Sequence, residues 1–166
     1  MTSPSTLRPL RFGPVTLHRH DERTGDVIET LEFQGVIIGS ASSEHDNHRG
    51  HPNTNWAPRR VKCSACRWLE VTIFLCRDGD PKTDDELTYS YVVQTVGLSN
   101  VPGEVDFERL WKTSSAFEVV ELLTVRRSQP NGSTETFIPP QHARALAQAA
   151  TLDEDIREAY VNRAVA

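Results

Sequence analysis

The chain has 166 residues, a formal charge of −5 and a hydrophobic content of 37%, which suits one domain able to bury a core without staples. Its acidic balance excludes a global attraction to nucleic acid or to an anionic membrane, so a nucleic-acid partner requires a local basic patch. No stretch approaches the ~18 consecutive apolar residues of a transmembrane span.

In chain order, residues 1–13 read as a flexible arm, polar and without the apolar run of a secretory signal, and residues 14–166 as a single domain. The expected compartment is therefore the cytoplasm. Val15 to His20 alternates, with Val15 and Leu17 on one face and Thr16, His18 and His20 on the other, the pattern of a half-buried strand. After a turn at Asp21 to Asp26, Val27 to Gly39 alternates at Leu31 and Phe33 and then becomes continuously apolar at Val36 to Ile38. Gly35 marks the expected bulge, where the exposed face changes. The polar segment 40–66, rich in histidine and cysteine, is long for a plain connection and has the profile of a functional or metal-organised loop. Arg67 to Leu75 and Leu87 to Val96 are further strands around the acidic turn Asp78 to Glu86, and their hairpin-like separations imply antiparallel pairing.

The period then changes. Phe107, Leu110 and Trp111 fall at i, i+3 and i+4, a short helical face. Ser115-x-x-Glu118 is a capping-box signature ahead of Val119, Val120, Leu122 and Leu123, and Arg126 and Arg127 suit the negative end of a helix dipole, so a helix is expected from Ala116 to Arg127. Gln129 to Ser133 breaks it, and Glu135 to Ile138 reads as a short edge strand. Gln141 to Ala150 is helix-prone, and Thr151-x-x-Glu154 offers a cap for a last helix carrying Ile156, Tyr160 and Val161. The expected fold is α+β: a mainly antiparallel sheet of about four to five strands in the N-terminal two thirds, packed by C-terminal helices.

Phe33-x-Gly35, Trp68-x-Glu70-x-x-Ile73-Phe74, Tyr91-Val92-Val93 and Gly97-x-Ser99-x-x-x-Gly103-Glu104 together resemble a loose pattern in small actinobacterial and actinophage proteins. The resemblance implies a similar sheet followed by helices and an origin in keeping with basic residues that are nearly all arginine. It carries no activity with it.

The chemistry concentrates in His45-Asp46-Asn47-His48-Arg49-Gly50-His51 and Cys63-Ser64-Ala65-Cys66. Structural zinc takes four tetrahedral N or S ligands, commonly two from a CxxC turn and two from another segment. His48, His51, Cys63 and Cys66 make that set, with His45 as the alternative ligand. Cys76 falls outside it: with Arg67 to Leu75 extended at ~3.3 Å per residue, it lies on the order of 30 Å beyond Cys66. The bland alternative is a solvated histidine-rich loop beside two ordinary thiols. A third reading uses His45, His48 and His51 with Glu44 or Asp46 to hold a metal that activates water. His45-Asp46-Asn47-His48 also resembles the HNH nuclease motif, but such motifs lead into a helix, and the segment that follows here reads as a strand.

Other signals are weaker. His18 and His20 are best explained as exposed polar-face residues, Ser40, Ser42 and Ser43 lack a nucleophile elbow, and there is no phosphate-binding glycine loop. Asp153-Glu154-Asp155 at the start of the last helix would repel phosphates. Arg49, Arg59, Arg60, Lys62 and Arg67, interleaved with Trp56 and Trp68, form the single basic concentration. The favoured reading is a non-enzymatic binding or regulatory protein, of the kind a phage or mobile element encodes, in which a zinc-stabilised loop presents Arg49, Trp56, Arg59, Arg60 and Arg67. Its expected partner is another protein, with nucleic acid second through residues 49–67. The alternative is a metal-dependent nuclease or hydrolase using His45, His48 and His51.

Overall fold

Gly13–His20, Val27–Ser42, Arg67–Asp78, Thr88–Ser99 and Phe107–Thr113 are five strands, β1 to β5, in a computed structural model that describes residues 10–21, 23–43, 67–79, 82–83, 86–99 and 106–165. They pair antiparallel in chain order. Helix α1 (Ala116–Leu122), a hairpin of β6 (Val125–Ser128) and β7 (Thr134–Phe137), and helices α2 (Pro140–Leu152) and α3 (Glu154–Val165) follow. This is the α+β meander with C-terminal helices that the alternating segments and their short separations predict. Leu10 and Phe12, at the end of the expected arm, pack against the core.

Alternation gives the sheet two buried faces. Val71, Ile73, Leu75, Tyr91 and Val93 meet the helices, while Phe74, Cys76 and Val92 point the other way and pack with Phe33, Leu17 and Leu31. β2 contributes to both faces. Its register with β3 shifts between Ile37 and Gly39, so the bulge lies just beyond the expected Gly35. Before it, the odd-numbered Leu31 and Phe33 join the second cluster; after it, the odd-numbered Ala41 packs on the first. An extra residue in one strand reverses which side chains point inward and bends the strand. The sheet curls until the end of β1 reaches β5: the main-chain N–H of His20 donates to Glu108 Oε2 at 2.8 Å.

The helical layer rests on a close approach. A β-carbon at Gly39 would lie 2.1 Å from the carbonyl oxygen of Ala145 in α2, so helix backbone touches strand backbone there. The buried residues of α2, His142, Ala145, Leu146 and Ala149, follow the i, i+3, i+4, i+7 spacing of one helical stripe. Between α2 and α3, Asp153 accepts both the Tyr91 hydroxyl, at 3.0 Å, and the main-chain N–H of Ile156, at 2.9 Å. Asp153 therefore caps α3, the role expected of Thr151, whose hydroxyl instead donates back to Gln148 O. Burial, and next the Asp153 carboxylate, push the Tyr91 phenol upward and keep it protonated.

Two further local expectations are overturned. Phe107–Thr113 is a strand: Phe107 and Trp111 share the helix-facing side and Leu110 the opposite one, so partial burial of both sides imitates a helical spacing. The helix expected to reach Arg127 stops at Leu122. Its buried stripe, Val119, Val120 and Leu123, would continue onto Arg126 and Arg127, and burying those charges is unfavourable. Val125–Ser128 pairs with Thr134–Phe137 instead, across a turn in which Gly132 takes φ 83°.

Gly39→Ala should lower stability by about 1–3 kcal/mol, because the added methyl meets main chain that cannot step aside. Gly13→Ala, where a β-carbon meets nothing within 4 Å, should change it by less than about 0.5 kcal/mol. The two urea midpoints, measured side by side, check this.

Candidate functional site

Two features of the described residues bear on function, and they meet at Leu69. The first is the mouth of the histidine- and cysteine-rich segment. β2 runs to Ser42, which pairs with Glu70 of β3. One residue further, the Ser43 N–H donates to Leu69 O at 3.0 Å and the Leu69 N–H to Ser43 Oγ at 2.7 Å. The segment 44–66 thus leaves and re-enters the sheet at one clasped point. The expected ligands His45, His48, His51, Cys63 and Cys66 lie outside the described residues, as do Arg49, Trp56, Arg59 and Arg60. Arg67 opens β3. Among the described residues no group of three His, Cys, Asp or Glu side chains is placed to hold a metal.

Cys76 lies within β3. β3 is continuous from Arg67 to Asp78, which carries Cys76 along the sheet to the second core cluster, where it is 0% exposed. Burial pushes its thiol up to about 11. It is a protonated core residue, unsuited to nucleophilic work or to metal.

The second feature is a cavity of about 340 Å³ where the helical layer stops short of the sheet's end. Its floor is Leu69, Thr95, Phe107, Arg109 and Trp111; its roof is Leu122, Thr124, Val125, Pro139 and His142. Gly97 shapes the floor, because a β-carbon there would meet Phe107 Cε1 at 2.1 Å; only hydrogen lets the ring lie across that strand. Arg109, two residues along the same face, holds its guanidinium carbon 4.8 Å from the centre of that ring.

His142 is the buried polar group of the roof. It is 7% exposed, and its Nδ1 lies 2.8 Å from the carbonyl oxygen of Leu123 at the end of α1. A carbonyl only accepts, so Nδ1 carries the hydrogen, and the neutral ring is left with Nε2 as a pure acceptor. Nε2 is buried and has no hydrogen-bond partner among the described residues. Burial holds the His142 pKa below its usual 6.5, against the opposing pull of the Leu123 carbonyl. Leaving such an acceptor unpaired costs about 1–3 kcal/mol. Sequence reasoning passed over His142 and Arg109. The available signal for His142 was its place on the apolar stripe of Ala145, Leu146 and Ala149; Arg109 had none.

His18 and His20 prove to be partnered. His18 Nδ1 lies 3.1 Å from Thr30 Oγ1, and His20 Nδ1 lies 3.0 Å from Glu108 Oε2. The cleft beside His20, about 240 Å³, follows from the seam at which β1 meets β5.

The fold and these features define a small α+β domain: a curled antiparallel meander, a helical cover, and a long segment clasped at the β2–β3 hairpin. No protein-family model, curated protein or solved structure matches the chain.

The lowered His142 pKa sets a pH dependence. Folding expels a proton from this ring, so the stability its neutral form contributes is fully present above about pH 6.5 and is lost as the pH falls below it towards the folded-state value. Between about pH 7.5 and 5.5 the wild-type chain should therefore lose more stability than His142→Phe. Urea midpoints across that range measure the difference in slope.

Proposed function

We propose that the chain is a non-enzymatic binding or regulatory protein in which a zinc ion, held by His48, His51, Cys63 and Cys66 with His45 as the alternative ligand, gathers the segment between β2 and β3. So gathered, the segment presents Arg49, Trp56, Arg59, Arg60 and Arg67 to a partner protein, with nucleic acid as the second class of partner. The observation that supports this reading is the clasp of Ser43 on Leu69. Folding of the sheet already joins the two ends of the segment, so a metal has only short sub-loops left to close, and the chain entropy opposing the site is reduced. Cys76, buried in the second core cluster, does not compete for the ion.

Metal analysis of the purified full chain should find one zinc per molecule, lost in Cys63→Ser and Cys66→Ser, while the sheet keeps its circular dichroism. Absence of zinc from protein prepared without chelator retires the zinc reading. Metal-dependent cleavage of nucleic acid that disappears in both His45→Ala and His48→Ala would replace it with the hydrolytic one.

A further inference from the structure

We infer that His18 and His20 of β1 together bind a divalent transition-metal ion of the zinc, nickel and copper group, at a site separate from segment 44–66. Alternation puts both rings on the face of β1 opposite Leu17, which packs on the second core cluster. His18 is exposed and the His20 side chain is 43% exposed, so an ion reaches both from solvent. Arg19, between them, points to the other face and is paired with Glu29 at 2.8 Å. The two ring centres lie 6.4 Å apart. Imidazoles that share one ion through bonds of ~2.0–2.1 Å have centres about 5–6 Å apart, so a small swing of two exposed side chains closes the site.

Each ring is held by the nitrogen that the ion does not use. His18 Nδ1 lies 3.1 Å from Oγ1 of Thr30, its cross-strand partner, and His20 Nδ1 lies 3.0 Å from Glu108 Oε2. The ionised Glu108 carboxylate only accepts, so Nδ1 of His20 carries the hydrogen; the Thr30 hydroxyl accepts as well as donates, and serves a His18 Nδ1–H equally. Nε2 is then the lone-pair nitrogen of each ring, and neither Nε2 has a hydrogen-bond partner among the described residues. Metal-binding histidines carry such an oxygen partner on the second nitrogen, which fixes ring and tautomer. Glu108 is itself fixed, because it also accepts the main-chain N–H of His20 at 2.8 Å. Asp21, Asp106 and Glu108 line the cleft beside His20, with no Lys or Arg among the described residues of its wall, a setting that favours a cation. Imidazole nitrogen suits zinc, nickel and copper, whereas calcium and magnesium take oxygen ligands. With two protein ligands the remaining positions fall to water, so the ion exchanges and does not add to the zinc that the segment retains through purification.

The test is a titration of nickel chloride into the full chain as purified, followed by ¹H–¹⁵N correlation spectra and calorimetry. A saturable event should selectively broaden the amide signals of residues 17–21 and 29–31, next to the paramagnetic ion. His18→Gln and His20→Gln should each weaken it at least about tenfold, and Thr30→Val, which keeps both ligands and removes only a tether, should also weaken it by about tenfold. Cys63→Ser should leave the β1 response unchanged, which separates this site from the zinc proposed in segment 44–66. Should His20→Gln loosen the seam with β5, His18→Gln and Thr30→Val, both exposed substitutions, still decide the matter. Equal affinity in wild type and His18→Gln, broadening confined to segment 44–66, or a response that never saturates overturns the proposal.

Discussion

The carbonyl oxygen of Ala145 sits where a β-carbon of residue 39 would be, 2.1 Å from that position, so α2 approaches β2 at a distance that glycine alone permits. The bulge between Ile37 and Gly39 places that glycine on the helix-facing side of the sheet. Once α2 is seated, Ala145, Leu146 and Ala149 close over Ile38, Val71 and Ile73, and each fully buried branched side chain contributes about 1.5–3 kcal/mol. The remaining helices are positioned from there. Asp153, at the end of α2, ties the Tyr91 hydroxyl to the first turn of α3, and Arg163 of α3 reaches Glu121 of α1 at 2.7 Å.

The same docking produces the cavity. α2 starts at Pro140, with no side-chain cap, and its first turn carries His142 to the end of α1, where Nδ1 meets the Leu123 carbonyl. α1 has ended by then because its apolar stripe runs into arginines. The roof thus consists of a helix end, a hairpin start and a helix start, which fill space less completely than a continuous helix would. Below it, Phe107 lies across Gly97 and carries Arg109 on its ring. His142 and Arg109 come to line one space.

Leu69 connects this space to the other candidate region. Its main chain clasps Ser43, and it lines the cavity floor. Leu69, near the start of β3, thus belongs both to the clasp at the ends of segment 44–66 and to the cavity that His142 lines. A rigid sheet with function gathered at one end is a common division of labour, since loops and layer ends can vary without disturbing the core.

Much of the framework was legible in the sequence. Alternation at Leu17, Leu31, Val71 and Ile73 marked three of the strands, and the helix-prone run Gln141 to Ala150 marked α2, because these patterns are properties of the backbone within a few residues. The His and Cys spacing was legible for the same reason; the clasp that joins the ends of that segment was not. Tertiary structure decided what depends on partners far along the chain. Phe107 to Thr113 became a strand because β4 offers it an edge, the bulge moved to Ile37–Gly39 because register belongs to two strands, and α1 stopped early because its stripe would have buried arginines. His142 and Arg109, thirty-three positions apart by their numbers, came to line one cavity. No local period records that approach, because it arises from packing between layers.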